Sequence, residues 1–172
     1  EIIHLLQKLH IPFTTVPSME QMATGQVKVS QLREVEISDL LGRESVEIDK
    51  SGIQSMIQGR VLMVTGAGGS IGSELCRQIT LFNPSRLLLV DQSEVQLFQI
   101  EQELMDRGFG VVIKSLVVDI LDELRLRHVF ERFQPEIIFH AAAHKHVPMM
   151  EAQPSEAIKN NSFGSACLAR LA

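Results

Sequence analysis

Val61-Leu62-Met63-Val64-Thr65-Gly66-Ala67-Gly68-Gly69-Ser70-Ile71-Gly72 is the stretch on which the fold of this chain turns. Its first four residues are a short all-apolar run with β-branched side chains, the composition of a strand covered on both faces of a parallel sheet. Glycines follow at once. Beyond them, Ile71 to Phe82 carries Leu75, Ile79 and Phe82 on one helical face, and Asn83-Pro84 stops the helix.

The alternation continues outward from this unit. Arg86 to Val90 predicts a second strand, and Glu94 to Arg107 a helix with Leu97, Ile100 and Leu104 at helical spacing and Gly108 as its cap. Val111 to Val118 reads as a third strand, Leu121 to Phe133 as a helix ending before Gln134-Pro135, and Glu136 to His140 as a fourth strand. Strands and helices alternating through short connections make right-handed crossovers, so the class is α/β, a Rossmann-like doubly wound parallel sheet. Six strands are usual in such a sheet and four are visible, which predicts a sheet truncated after about four strands. Glu1 to Leu6 begins inside a helical pattern, and Ser165 to Ala172 ends in one without a closing Gly or Pro, so an excerpt of a longer protein is expected.

The first third is patterned differently. A short helix to His10, an extended Phe13 to Val16 between Pro12 and Pro17, an alternating Gln31 to Ile37 and a capped turn from Ser38 to Gly42 suggest the remnant of another α/β domain. The expected organisation is a remnant at residues 1–41, a linker at 42–59, and the N-terminal part of a dinucleotide-binding domain at 60–172.

Composition narrows the function. The chain has 172 residues, 45% hydrophobic and 22% charged, as a globular domain does. Its 16 Lys and Arg against 21 Asp and Glu give a formal charge of −5, which argues against nucleic acid as a partner. Apolar runs such as Leu87 to Val90 are far shorter than the roughly 20 residues a membrane helix needs. Cys76 and Cys167 lack metal-ligand spacing and read as two buried, reduced thiols of a cytoplasmic domain.

The glycines acquire meaning from their place between strand and helix. Gly66 permits the tight turn, Gly69 lets a pyrophosphate approach the backbone, and Gly72 allows the helix to pack closely, while the N–H groups of Ser70 and Ile71 open toward an anion. Asp91, 19 residues beyond Gly72 at the end of the second strand, suits the hydroxyls of an adenosine ribose. The same carboxylate would repel a 2′-phosphate, and Gln92-Ser93-Glu94 brings no Arg or Lys, so NAD is expected over NADP. A cap for the next helix is the alternative role of Asp91. Asp119, followed by Ile120, ends the third strand where this architecture meets the adenine, or else it caps the helix before Leu121.

After the fourth strand comes His140-Ala141-Ala142-Ala143-His144-Lys145-His146-Val147-Pro148. Ala141, Ala142 and Ala143 would let a cofactor lie against the backbone at the carboxyl edge of the sheet. The three histidines lack the helical spacing of a zinc site, and no metal is expected. Lys145 and His146 are candidates for an anionic diphosphate substrate, or form a solvated charged loop. Asn160 and Asn161 either bridge elements by hydrogen bonds or touch the active site, and Asn161 is the candidate substrate contact.

Taken together, Thr65 to Leu75, Asp91 with Ser93-Glu94, Asp119-Ile120, His140 through Glu151, and Asn161 to Gly164 resemble the CapD-type polysaccharide biosynthesis proteins, nucleotide-sugar 4,6-dehydratases of the extended short-chain dehydrogenase/reductase superfamily. The block Ala141 to Glu151 is the most specific part, and the resemblance covers about residues 30 to 172. It implies that Gln31 to Asp49 joins the catalytic domain to a preceding nucleotide-binding-like domain. It implies an NAD-dependent lyase that oxidises C4 of a UDP-N-acetylglucosamine-like sugar, eliminates water across C5 and C6, and returns the hydride to C6. The superfamily's Tyr and Lys, or their substitutes in membrane-type members, lie beyond a fifth strand, so no catalytic residue is assigned here and the excerpt is expected to be inactive. The chain has no Tyr. The resemblance also implies a UDP-sugar partner, a homo-oligomer, and a parent protein anchored through upstream segments at the inner face of the bacterial membrane. A nucleotide-sugar epimerase or reductase, or a non-catalytic dinucleotide-binding module, would share these features.

Overall fold

A computed structural model describes residues Thr14–Thr15, Arg33–Glu34 and 48–172 of the chain. The chain divides into two compact units, Glu1–Ile48 and Asp49–Ala172. In the first, β1 (Thr14–Thr15) pairs antiparallel with β2 (Arg33–Glu34), within the two segments expected to be extended. The expected helix to His10 and the turn at Ser38 to Gly42 lie outside the described residues.

The second unit opens with α1 (Lys50–Ile57), where the sequence suggested part of a linker. The Asp49 side chain caps it by accepting from Gly52 N, and Ile57, 2% exposed, is buried in the core of this unit. Only a weak apolar pattern marks so short a helix, which owes its place to Ile53 and Ile57 packing rather than to propensity.

β3 (Val61–Thr65), α2 (Ser70–Thr80), β4 (Arg86–Asp91), α3 (Glu94–Asp106), β5 (Val112–Val117), α4 (Glu123–Phe133) and β6 (Ile137–His140) then alternate as expected. The four strands form a parallel sheet in the order β5-β4-β3-β6. The chain thus walks outward from β3 to β5, then crosses to the other side of β3. That reversal makes a switch point between β3 and β6, the place where doubly wound sheets leave a crevice. β3 and β4 are central, and Leu62, Met63, Val64 and Leu87 to Val90 are wholly buried, which accounts for their unbroken apolar runs.

Side chains alternate between two cores. Leu62, Val64, Leu87 and Leu89 face Cys76 and Ile79 of α2 and Leu97, Ile100 and Leu104 of α3. Met63, Leu88 and Val90 face Leu126 and Val129 of α4 together with Cys167 and Leu168. The latter pair belongs to α7 (Ser165–Leu171), reached through α5 (Val147–Ala152), α6 (Pro154–Ile158) and a π-helical turn at Lys159–Gly164. Both cysteines are free and buried, and burial pushes the Cys76 thiol up to about 12, leaving it un-ionised and unreactive at neutral pH. Among the described residues no helix is long and apolar enough to cross a membrane.

Candidate functional site

The parallel register brings the ends of the strands to one edge, with Thr65 opposite both Val90 and His140, and Asp91 opposite Val117. Gly66 leaves β3 with φ +70°, a conformation L side chains rarely adopt. A Cβ there would lie 2.5 Å from the Ala141 carbonyl oxygen and 2.8 Å from Ala142 Cα, so two strand exits meet backbone to backbone. Gly69 N donates to Gly66 O at 3.0 Å and closes the turn. The first helical bond of α2 runs from Ser73 N to Gly69 O at 2.8 Å, which leaves the preceding N–H groups at the helix N-terminus free for an anion.

Asp91 is half-buried beside this turn. Its Oδ2 accepts from Gly68 N and its Oδ1 from Ser93 N, both at 2.9 Å. It does not cap α3, whose cap residue is Ser93. Asp119 likewise does not cap α4. It accepts from Leu121 N at 2.9 Å in a local turn, while Asp122 caps the helix through Arg125 N.

The loop after β6 is stapled to the last helices. Asn160 Nδ2 donates to Ala142 O at 2.7 Å, and Asn161 both accepts from His144 N at 2.8 Å and donates to His144 O at 2.9 Å. The Asn161 amide is thus engaged by the backbone of the loop, where the sequence expected a substrate contact. Asn160 is 6% exposed, which explains why its amide needs a built-in partner.

His140 has both ring nitrogens engaged. Thr65 Oγ1 lies 2.7 Å from Nδ1 and Ser165 Oγ lies 2.8 Å from Nε2. Ser165 spends its proton on Asn161 O at 2.8 Å, so Nε2–H donates to Ser165, and in the neutral ring Nδ1 then accepts from Thr65. Desolvation holds the His140 pKa below the ordinary 6.5. Between the folded value and 6.5 the unfolded chain binds more protons, so the stability tied to this group is complete above 6.5 and falls as pH drops toward the folded value. The melting temperature should therefore decline as the pH falls below 6.5, and His140→Gln should flatten the slope. An unaltered slope in the variant would place the acid sensitivity elsewhere.

Two adjoining clefts cross the carboxyl edge. The narrower, about 140 Å³, is lined by Gly66, Gly69, Asp91, Gln92, Asp119, Ile120 and Ala141 to Ala143, with Val90 and Val118 also in its wall. The second, about 610 Å³, is lined by Gly69, Ser70, Ile71, Ala141, Ala143, Lys145 and His146, and lies in the size range of pockets that hold small molecules. Gly72 and Ser93 line neither cleft. Gly72 is buried under the turn and Ser93 acts through its N–H on Asp91. Asn161 lines another hollow, which shares His144, Lys145 and Met150 with the second cleft. Gln96, not singled out by the sequence, and His144, weighed there only among the three histidines of a metal reading, line both clefts, Asn160 lines the first, and Met149 and Met150 line the second.

The sheet order and the crevice at its switch point define a Rossmann-like α/β unit. The chain belongs to the polysaccharide biosynthesis protein family, whose pattern it matches over residues 62–172. It is 40% identical over 158 residues to the capsular polysaccharide biosynthesis protein CapD of Staphylococcus aureus, covering 91% of this chain and 26% of that protein. It is 26% identical over 111 residues to a UDP-N-acetylglucosamine 4,6-dehydratase (inverting) of Campylobacter jejuni, covering 64% of this chain and 31% of that one. Among solved structures, a UDP-glucose 4-epimerase of Bifidobacterium longum in complex with NAD+ and UDP is 25% identical with a TM-score of 0.56, over 64% of this chain and 32% of the epimerase. The chain thus spans about a quarter of the length of the CapD relative.

Proposed function

We propose that this chain is the NAD-binding portion of a nucleotide-sugar 4,6-dehydratase acting in bacterial polysaccharide biosynthesis. The observation that carries the reading is a single continuous edge on which the glycine turn, Asp91 and the small Ala141 to Ala143 backbone line adjoining clefts. The residues fit a dinucleotide. A Cβ at Gly69 would occupy open cleft, meeting only Gly66 O at 3.3 Å, and the free N–H groups at the start of α2 face the same space.

In this reading the turn at Gly66 to Gly72 holds the pyrophosphate, Asp91 accepts from the ribose, and Asp119 and Ile120 flank the adenine. When bound, the nicotinamide supplies hydride transfer at the sugar's C4 and C6. Lys145 and His146, exposed in the loop beside the larger cleft, are placed to meet the diphosphate of a UDP-sugar. Asn160 and Asn161 act on this site indirectly, by fixing the carbonyl of Ala142 and the N–H and carbonyl of His144. No catalytic acid or base is assigned among the described residues. The homo-oligomer and the location at the inner membrane face rest on the family resemblance.

Asp91 provides the first test. A charge-assisted hydrogen bond is worth about 1.5–3 kcal/mol, one to two decades in affinity. Asp91→Asn should weaken NAD binding by about that factor and raise the relative affinity for NADP, measured by calorimetry on the full chain. A wild type that binds NADP as tightly as NAD would remove Asp91 from its assigned role. The epimerase reading is favoured by the solved epimerase that shares this half-sheet, and is separated by product: a 4-keto sugar for a dehydratase, a C4 epimer for an epimerase.

A further inference from the structure

We infer that Asp91 has a second role, as a positioning residue that holds the pyrophosphate turn in its binding shape before any ligand arrives. The inference rests on the cofactor reading above, in which the same carboxylate meets the ribose.

The geometry is two-ended. Asp91 Oδ2 takes the N–H of Gly68 at the tip of the turn, and Oδ1 takes the N–H of Ser93 at the start of α3, each at 2.9 Å. One rigid carboxylate thereby ties together the β3–α2 turn, the end of β4 and the first turn of α3. The other side of the tip is closed sterically. A Cβ on Gly68 would lie 2.6 Å from Gln96 Cβ, 3.1 Å from the Gln96 carbonyl carbon and 3.2 Å from Asp91 Oδ2. Gly68 is therefore pressed between the carboxylate and α3, and its N–H is committed to Asp91.

This division of labour follows from the number of groups available. A carboxylate accepts at four lone-pair positions, so two backbone donors leave two for ribose hydroxyls. An amide in its place has a single oxygen and must turn an N–H₂ donor toward either Gly68 N or Ser93 N, so one end of the clamp opens. Ribose selection and turn geometry then fail together on substitution, although they are separate interactions.

Ligands without ribose hydroxyls separate them. Binding of ADP and of 2′,3′-dideoxy-ADP to the full chain is measured by calorimetry for wild type, Asp91→Asn and Gly68→Ala, with circular dichroism as a check on folding. The clamp predicts that Asp91→Asn loses about tenfold or more in affinity for the dideoxy ligand, which offers Asp91 no hydroxyl, and more still for ADP. Gly68→Ala, which disturbs the tip but leaves the carboxylate, should lose the same factor for both ligands. Undiminished dideoxy-ADP binding in Asp91→Asn would overturn the clamp and leave the ribose role standing. Equal wild-type and Gly68→Ala affinities would also overturn it. A wild type that binds neither ligand would overturn the cofactor reading, and the clamp with it.

Discussion

Gly69→Val is expected to yield a folded protein that no longer binds NAD. Gly69 has φ −72° and ψ 168°, an extended conformation open to any residue, so no backbone requirement selects glycine there. Within the chain its Cβ would meet only Gly66 O, at 3.3 Å. The remaining directions open into the two clefts, where a valyl side chain would stand in the place assigned to the pyrophosphate. Losing two charge-assisted phosphate contacts amounts to about 100-fold or more in affinity. Titration calorimetry with NAD, on a variant whose circular dichroism matches wild type, measures this directly. Undiminished affinity would take the glycine turn out of the site.

Gly72→Ala should fail in the opposite way, through stability. The sequence assigned Gly72 to close packing of helix on strand, and the contact is in fact with the turn itself. A Cβ there would overlap the Gly66 carbonyl oxygen, and would lie 2.6 Å from the Gly66 carbonyl carbon and 3.0 Å from Ala67 Cα. These are backbone atoms held by Gly69 N and by the bond from Ala67 N to Val90 O, so they cannot yield as a side chain would. The start of α2 must move instead, and overpacking of this kind costs about 3 kcal/mol. For a unit of this size that corresponds to roughly a 10 °C fall in melting temperature. Thermal unfolding of Gly72→Ala beside wild type is the check, and coincident midpoints would contradict the geometry of the turn. The two glycines, three residues apart, thus serve ligand and fold respectively.

The sheet was legible in the sequence because its determinants are local. Val61 to Val64 and Leu87 to Val90 are continuous apolar runs, which follow from strands buried on both faces, and the helices between them repeat at helical spacing. The glycine turn and Asp91 were legible for the same reason, being bound to fixed positions at strand ends. What escaped notice depends on contacts between distant segments. Gln96 is an ordinary exposed helix residue until α3 is laid against the glycine turn. The pairing of Asn160 and Asn161 with Ala142 and His144 spans 17 or 18 residues, beyond the reach of any local pattern. The π-helical turn at Lys159–Gly164, which carries both asparagines, has no periodic signature of its own in a continuous helical pattern. Helix α1 was concealed by its length, and the competing cap roles of Asp91 and Asp119 could be resolved only by seeing where Ser93 and Asp122 stand.

The most direct test of the account is the reaction. The full-length protein of which this chain is proposed to be the NAD-binding portion, purified with NAD, is incubated with UDP-N-acetylglucosamine and the sugar nucleotide is characterised by mass spectrometry and NMR. The account predicts a 4-keto-6-deoxy product, lighter than the substrate by one water, with no net reduction of NAD because the hydride removed from C4 returns to C6. A product of unchanged mass inverted at C4, or an oxidised sugar formed with stoichiometric NADH, would contradict it.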